Sequence, residues 1–180
     1  MDDHGFEGPL AEFTALREEI QERVKAQQQL MSLQLTGSAA VFGFAVTQDG
    51  MKALLLIVPF TSYLLCGRLV AQHFAIFRVA EYIQHHLSPR VPGGLLWERW
   101  LRERPTGQHL LGAVLPLLLS FVGAGVLALV WAFEFVFAQE GLALKVLWFL
   151  GLGGEGLSAM LVMQMAGWLS DRGWQRAGIS

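Results

Sequence analysis

Apolar residues along this chain follow two patterns: long runs nearly free of charge, and stretches where they recur every three or four positions. Three of the runs are long, Met51–Ala71, Leu110–Phe133 and Val146–Leu169. Each is enough for a spanning helix, which needs about 20 apolar residues to cross a hydrocarbon core of about 30 Å. A fourth run, Leu30–Val46, is shorter and is interrupted by Ser32, Gln34, Thr36 and Ser38. It reads as the upper part of a helix that begins outside the apolar zone. Together the runs predict an all-α polytopic membrane protein with four transmembrane helices, arranged as two antiparallel hairpins.

The periodic stretches flank these spans. In Pro9–Gln29, the residues Phe13, Leu16, Ile20 and Val24 form one apolar stripe at helical spacing. Glu19 with Arg23, and Glu22 with Lys25, supply ion pairs on the rest of the surface. Gly8-Pro9 suits a helix start, since proline is tolerated in the first turn. No breaker separates this segment from Leu30, so the two are expected to form one rod. After the second span, Ile76, Ala80, Ile83 and Leu87 continue a stripe, and Ser88-Pro89 is expected to stop the helix because the residue before proline is pushed out of the α region. The two stripes are expected to pack together as a hairpin projecting roughly 27 Å into the cytoplasm.

Leu95–Arg104 places Leu96, Trp97, Trp100 and Leu101 on one face and Glu98, Arg99, Arg102 and Glu103 elsewhere. This predicts a short amphipathic helix at the membrane surface. The expected layout is one membrane domain over 1–180. It comprises a disordered N-terminus (1–8), a long helical hairpin (9–88) with spans near 30–46 and 51–71, and a cytoplasmic linker (89–107) carrying the amphipathic helix 95–104. A second transmembrane hairpin (108–169) and a cytoplasmic tail (170–180) complete it.

Charge orients this layout. Of the 13 Lys and Arg residues, 11 fall before the first span, from Arg68 at the end of the second up to the third, or after the fourth. Only Lys52 and Lys145 occupy the two short connections on the other side. The positive-inside rule then puts both termini in the cytoplasm. Trp131 and Trp148 are expected at the outer interface and Trp168 at the inner one. Composition agrees with the membrane reading: 53% of residues are hydrophobic and 16% charged, against about a quarter charged in soluble domains. The net charge of −2 and the lack of a detached basic cluster argue against a nucleic-acid partner. The acidic start MDDHGFEG, with no apolar core before about residue 30, argues against a cleaved signal peptide. Cys66 is the single cysteine, so it forms no intrachain disulfide and reads as a small buried hydrophobe.

The run ALREEIQERVKAQQQLMSLQL, followed by YIQHHLSPRVPGGLLWERWL, resembles a widespread, uncharacterised group of small bacterial multi-pass membrane proteins of actinobacterial type. That group carries an LREEI-type helix leading into the first span and a YI…PRVPG…WE segment after the second. The resemblance covers mainly residues 15–100 and implies a bacterial cytoplasmic membrane. It lends no catalytic residue and no activity.

Glu155, in GLGGEGLSAM near the middle of the fourth span, is the foremost candidate functional residue. An ionised carboxylate at that depth costs at least ~2.5–3.5 kcal/mol, so such residues face protein or water. It reads either as a protonatable or cation-binding group on an ion pathway, or as a neutral, hydrogen-bonded acid that fixes helix packing. Small residues at Ala39-xxx-Gly43 and Gly154-xxx-Ser158 are candidate helix-packing positions that offer self-association faces. Gln34 and Gln164 can hydrogen-bond across helices, Pro59 and Pro116 should bend their spans, and Glu134 sits at the wet outer edge. Glu81 and His85 share a helical face, but with His73 and His86 they fall short of a zinc site. Ser62, Ser120 and Ser158 have no adjacent histidine, and GLGGEG lacks the context of a phosphate loop. No catalytic residue, cofactor or metal is therefore expected. The chain reads as a non-enzymatic, self-associating membrane protein with a cytoplasmic helical platform for a protein partner. The alternative is a small oligomeric channel or transporter in which Glu155 and the fourth helix line a pathway between subunits.

Overall fold

The structure, a computed structural model, describes residues 7–91, 94, 95, 112 and 114–176, with the side chains of 49 and 168–176 left out. The described residues are almost wholly helical and contain no strand. Four helices are long and apolar enough to cross a membrane. The expected amphipathic helix over 95–104, apart from Leu95, the N-terminus before Glu7 and the side chain of Trp168 lie outside the described residues.

Helix α1 runs unbroken over Glu7–Thr47, so the N-terminal amphipathic segment and the first apolar run form one rod, as their lack of a breaker predicts. A tight connection follows, in which Gln48 donates its N–H to Phe44 O and Met51 donates to Gln48 O, both at 3.0 Å. Helix α2 then follows a continuous helical path over Gly50–Arg90. Its α-helical part is Ile57–Tyr82. The path opens with a 3-10 stretch, Asp49–Leu56, and closes with a π turn, Ile83–Leu87. Helix α3 spans Leu115–Ala138 with a π stretch at Leu118–Gly123, and α4 spans Leu142–Arg176.

The departures from regular α geometry sit beside prolines. Pro59 removes the N–H that Leu55 O would accept, and the chain ahead of it tightens into the 3-10 stretch. Pro116 precedes the π stretch of α3. Pro89 behaves differently from expectation. Ser88 keeps helical angles (φ −54°, ψ −40°), and the helical path continues through a 3-10 turn to Arg90 before Val91 becomes extended. The widened π turn just before Pro89 lets the ring pass without breaking the path. Gly94, at φ 69°, then turns the chain, and its N–H reaches Val91 O at 2.9 Å. Leu95 N–H donates to Ser88 Oγ at 2.9 Å and closes the turn.

Helix α2 is the centre of the molecule and packs on α1, α3 and α4. Its contacts with α1 run in opposite order along the two chains: Tyr82 donates to Glu12 at 2.7 Å, Arg23 to Gln72 at 3.1 Å, and Gln34 to Ser62 at 2.6 Å. Arg23 is also held by Glu19, the ion pair expected from their spacing. The buried positions repeat in alternating steps of four and three: Leu55, Pro59, Ser62, Cys66 and Leu69 in α2, and Gly151, Glu155, Ser158, Val162 and Met165 in α4. That is the 3.5-residue repeat of left-handed helix packing. The same rhythm moves the α1 seam away from the stripe expected there. Leu16, Ile20, Arg23 and Gln27 are partly covered, whereas Val24 is exposed.

The core consists of two apolar clusters. One joins Cys66, Leu69 and Val70 to Val114, Leu117, Phe121, Val162, Met165 and Ala166. The other joins Ala45, Leu55, Leu56 and Val58 to Ala128, Leu129, Ala132 and Val136. Between them, on α1, α2 and α4, lie the buried polar residues.

Candidate functional site

Among the described residues, the buried polar side chains are Gln34, Ser62, Glu155 and Ser158. All four occupy the interval between the two apolar clusters. On α2, Ser62 falls between Val58 and Cys66; on α4, Glu155 and Ser158 fall between Trp148 and Val162. Hence the bundle carries one polar layer across its middle. In a hydrocarbon environment each such group must find its partner within protein.

Gln34 does so completely on its donor side. Its Nε2 lies 2.6 Å from Ser62 Oγ on α2, 3.1 Å from Ser120 O on α3 and 3.2 Å from Ser38 Oγ on its own helix. Two amide hydrogens are thus shared among three acceptors, and one side chain ties three helices. The π stretch of α3 makes this contact possible, because the wider turn slips the backbone ladder and turns carbonyls outward. Ser120 Oγ itself donates back to Pro116 O at 2.7 Å.

Glu155 is 2% exposed, and neither of its carboxyl oxygens has a hydrogen-bond partner. Its seat on α3 is formed by Gly125: a Cβ built there would overlap the carboxyl group. The surrounding α4 surface is equally close-fitted. A Cβ on Gly151 would meet Pro59 Cγ at 2.9 Å and Leu129 Cδ2 at 3.3 Å, and one on Gly154 would meet Tyr63 Cβ at 3.6 Å. Ser158 donates to Gly154 O at 3.0 Å, and its own carbonyl lies 3.9 Å from Cys66 Sγ. Cys66 is a free, buried thiol in the apolar cluster, the role its lone position suggests.

The other expected residues are placed as follows. Gly154 and Ser158 face α2 inside the bundle rather than an outer surface, because they share the α4 seam with Glu155. Glu155 itself is buried within the chain's own bundle. Gly153 and Gly156 point outward, with nothing near a Cβ at either. Ala39 and Gly43 are exposed, with open space around Gly43. Gln164 is exposed and not part of the layer. Glu134 is exposed, in a shallow groove with Val130, Trp131, Phe133 and Trp148. Trp148 donates its indole N–H to Leu129 O at 2.9 Å, and Trp131 stacks on Phe42 with centroids 6.0 Å apart. His73 meets Phe77 edge-on and His86 stacks on Tyr82, while no group of three metal-ligating side chains occurs among the described residues.

Gly125 is the contact that the sequence reading did not single out. The only signal is the GAG segment Gly123–Gly125, which holds the two glycines of the span Leu115–Ala138, rich in large apolar residues. No family model, curated protein or solved structure matches the chain.

Proposed function

We propose that this chain is a non-enzymatic, multi-pass protein of the bacterial cytoplasmic membrane that self-associates and presents a cytoplasmic helical platform to a protein partner. The observation that carries this reading is the length of α1 and α2, each 41 residues. At 1.5 Å per residue such a helix is about 60 Å long, twice the hydrocarbon thickness of about 30 Å. Roughly half of each helix therefore lies outside the bilayer. The charge pattern assigns that half, with both termini, to the cytoplasm. The outer half is laced by Glu12–Tyr82 and Arg23–Gln72, so the two helices form a stiff antiparallel hairpin. The other two spans form the second hairpin.

Self-association is supported by the exposed small-residue face of α1 at Ala39 and Gly43, which leaves room for a second backbone to approach. The test is the stoichiometry of the purified protein in lipid nanodiscs. A stable oligomer that falls apart in Ala39→Leu/Gly43→Leu supports the proposal, because neither position supports the chain's own packing. A monomer at all protein-to-lipid ratios overturns it.

A further inference from the structure

The Glu155 carboxyl combines three features in one place: burial, two oxygens without a partner, and a seat shaped by the absence of a side chain at Gly125. The other helices supply its surroundings. Helix α2 contributes Cys66 and, against the neighbouring Gly154, Tyr63. Helix α3 contributes the Gly125 backbone, and α1 contributes to the layer the neutral amide of Gln34 and the hydroxyl of Ser38. Among the described residues, no charged side chain acts on Glu155. An ionised carboxylate in that setting has neither counter-ion nor donor, whereas a neutral acid fits it.

A metal cation fits less well than a proton. A hard cation requires several oxygen ligands around it, but among the described residues no group of three His, Cys, Asp or Glu side chains converges, at Glu155 or elsewhere. The carboxyl also fills the Gly125 notch itself.

We propose that Glu155 is a proton-binding site: as the neutral acid its carboxyl seats in the Gly125 notch and holds α4 against α3, and loss of the proton drives it from that seat. The proton is the ligand, and the α3–α4 seam is what its binding closes. Trp148 lies two turns from Glu155 on the same side of α4 and is bonded to Leu129 O of α3, so it sits across the seam that opens. This inference does not depend on the assembly reading.

The test uses the full-length protein in lipid vesicles and dicyclohexylcarbodiimide, an apolar reagent. The neutral acid adds its O–H across one C=N bond of the reagent, and the adduct rearranges to a stable N-acylurea with no leaving group. Modification should map to Glu155 and should fall about tenfold per pH unit above the midpoint of a single titration. No labelling, labelling independent of pH, or protection by Na⁺ at constant pH overturns the proposal, the last pointing to a cation site. A second measurement is hydrogen exchange in α3 and α4. Wild type should lose protection there at high pH relative to Glu155→Gln, which is held neutral; equal loss in both overturns the proposal. If Glu155→Gln does not fold, the labelling of the wild-type protein still decides.

Discussion

Gln34 contributes more to the bundle than its size suggests, because its amide reaches α2 and α3 where no water competes. Interhelical hydrogen bonds in membranes average about 0.6 kcal/mol and reach about 1.7 kcal/mol. Gln34→Leu should therefore destabilise the protein in detergent by about 1–2 kcal/mol, and a double-mutant cycle with Ser62→Ala should recover a coupling of about 0.6–1.7 kcal/mol. A coupling near zero in thermal unfolding would show that the pair does not form. Gly125 makes the complementary case. Gly125→Ala puts a methyl group onto the Glu155 carboxyl and should cost about 1–3 kcal/mol by overpacking. Adding Glu155→Ala should restore much of that loss, which a melting comparison of the single and double variants checks. Glu155 was legible in the sequence because an acid in an apolar run stands out. Its partner was not, since a glycine carries no chemistry of its own and nothing in the one-dimensional pattern says which α3 turn it meets.

Helix continuity was readable from the lack of breakers between Leu10 and Leu30, and the fourth span, Val146–Leu169, was readable from hydropathy alone. The rotation of each helix was less so. A stripe drawn through Phe13, Leu16, Ile20 and Val24 drifts off the true seam, which steps through Leu16, Ile20, Arg23 and Gln27 and includes polar residues. Hydrophobicity picks out the seam poorly outside the membrane when the partner helix offers Gln72 and Tyr82 as hydrogen-bonding surfaces. The consequence is testable by cross-linking in intact cells, in a Cys66→Ser background. A short thiol cross-linker should join Glu12→Cys to Tyr82→Cys and Arg23→Cys to Gln72→Cys, while Val24→Cys paired with Gln72→Cys should react far less. Equal yields from Arg23 and Val24 would contradict the seam. The π stretch of α3 was also hidden. Pro116 announces a local bend, but whether the ladder tightens or widens depends on the Gln34 amide that arrives from another helix.

For the molecule as a whole, two apolar clusters enclose a single polar layer, and two of the four apolar helices, at 41 residues each, are about twice the length a bilayer requires. The proposed orientation makes a direct prediction. In a Cys66→Ser background, a membrane-impermeant maleimide applied outside spheroplasts should label Lys52→Cys and Lys145→Cys but reach Arg17→Cys only after permeabilisation. Labelling of Arg17→Cys from outside would invert the topology.

The seating of Glu155 against Gly125 also bears on how the protein is made. Helix α4 emerges from the ribosome after α3, and its acid is unshielded until it docks into the Gly125 notch. During that interval the segment is a marginal substrate for the translocon, with glycines and a carboxyl facing lipid. Insertion of the fourth span and its docking on the third are thus expected to be one event in biosynthesis. A chain whose α3 is defective at Gly125 would expose an unshielded acid in the bilayer, the kind of lesion that membrane quality-control proteases recognise. Steady-state abundance in the cell, more than melting temperature, is where the fit between these two residues should be felt.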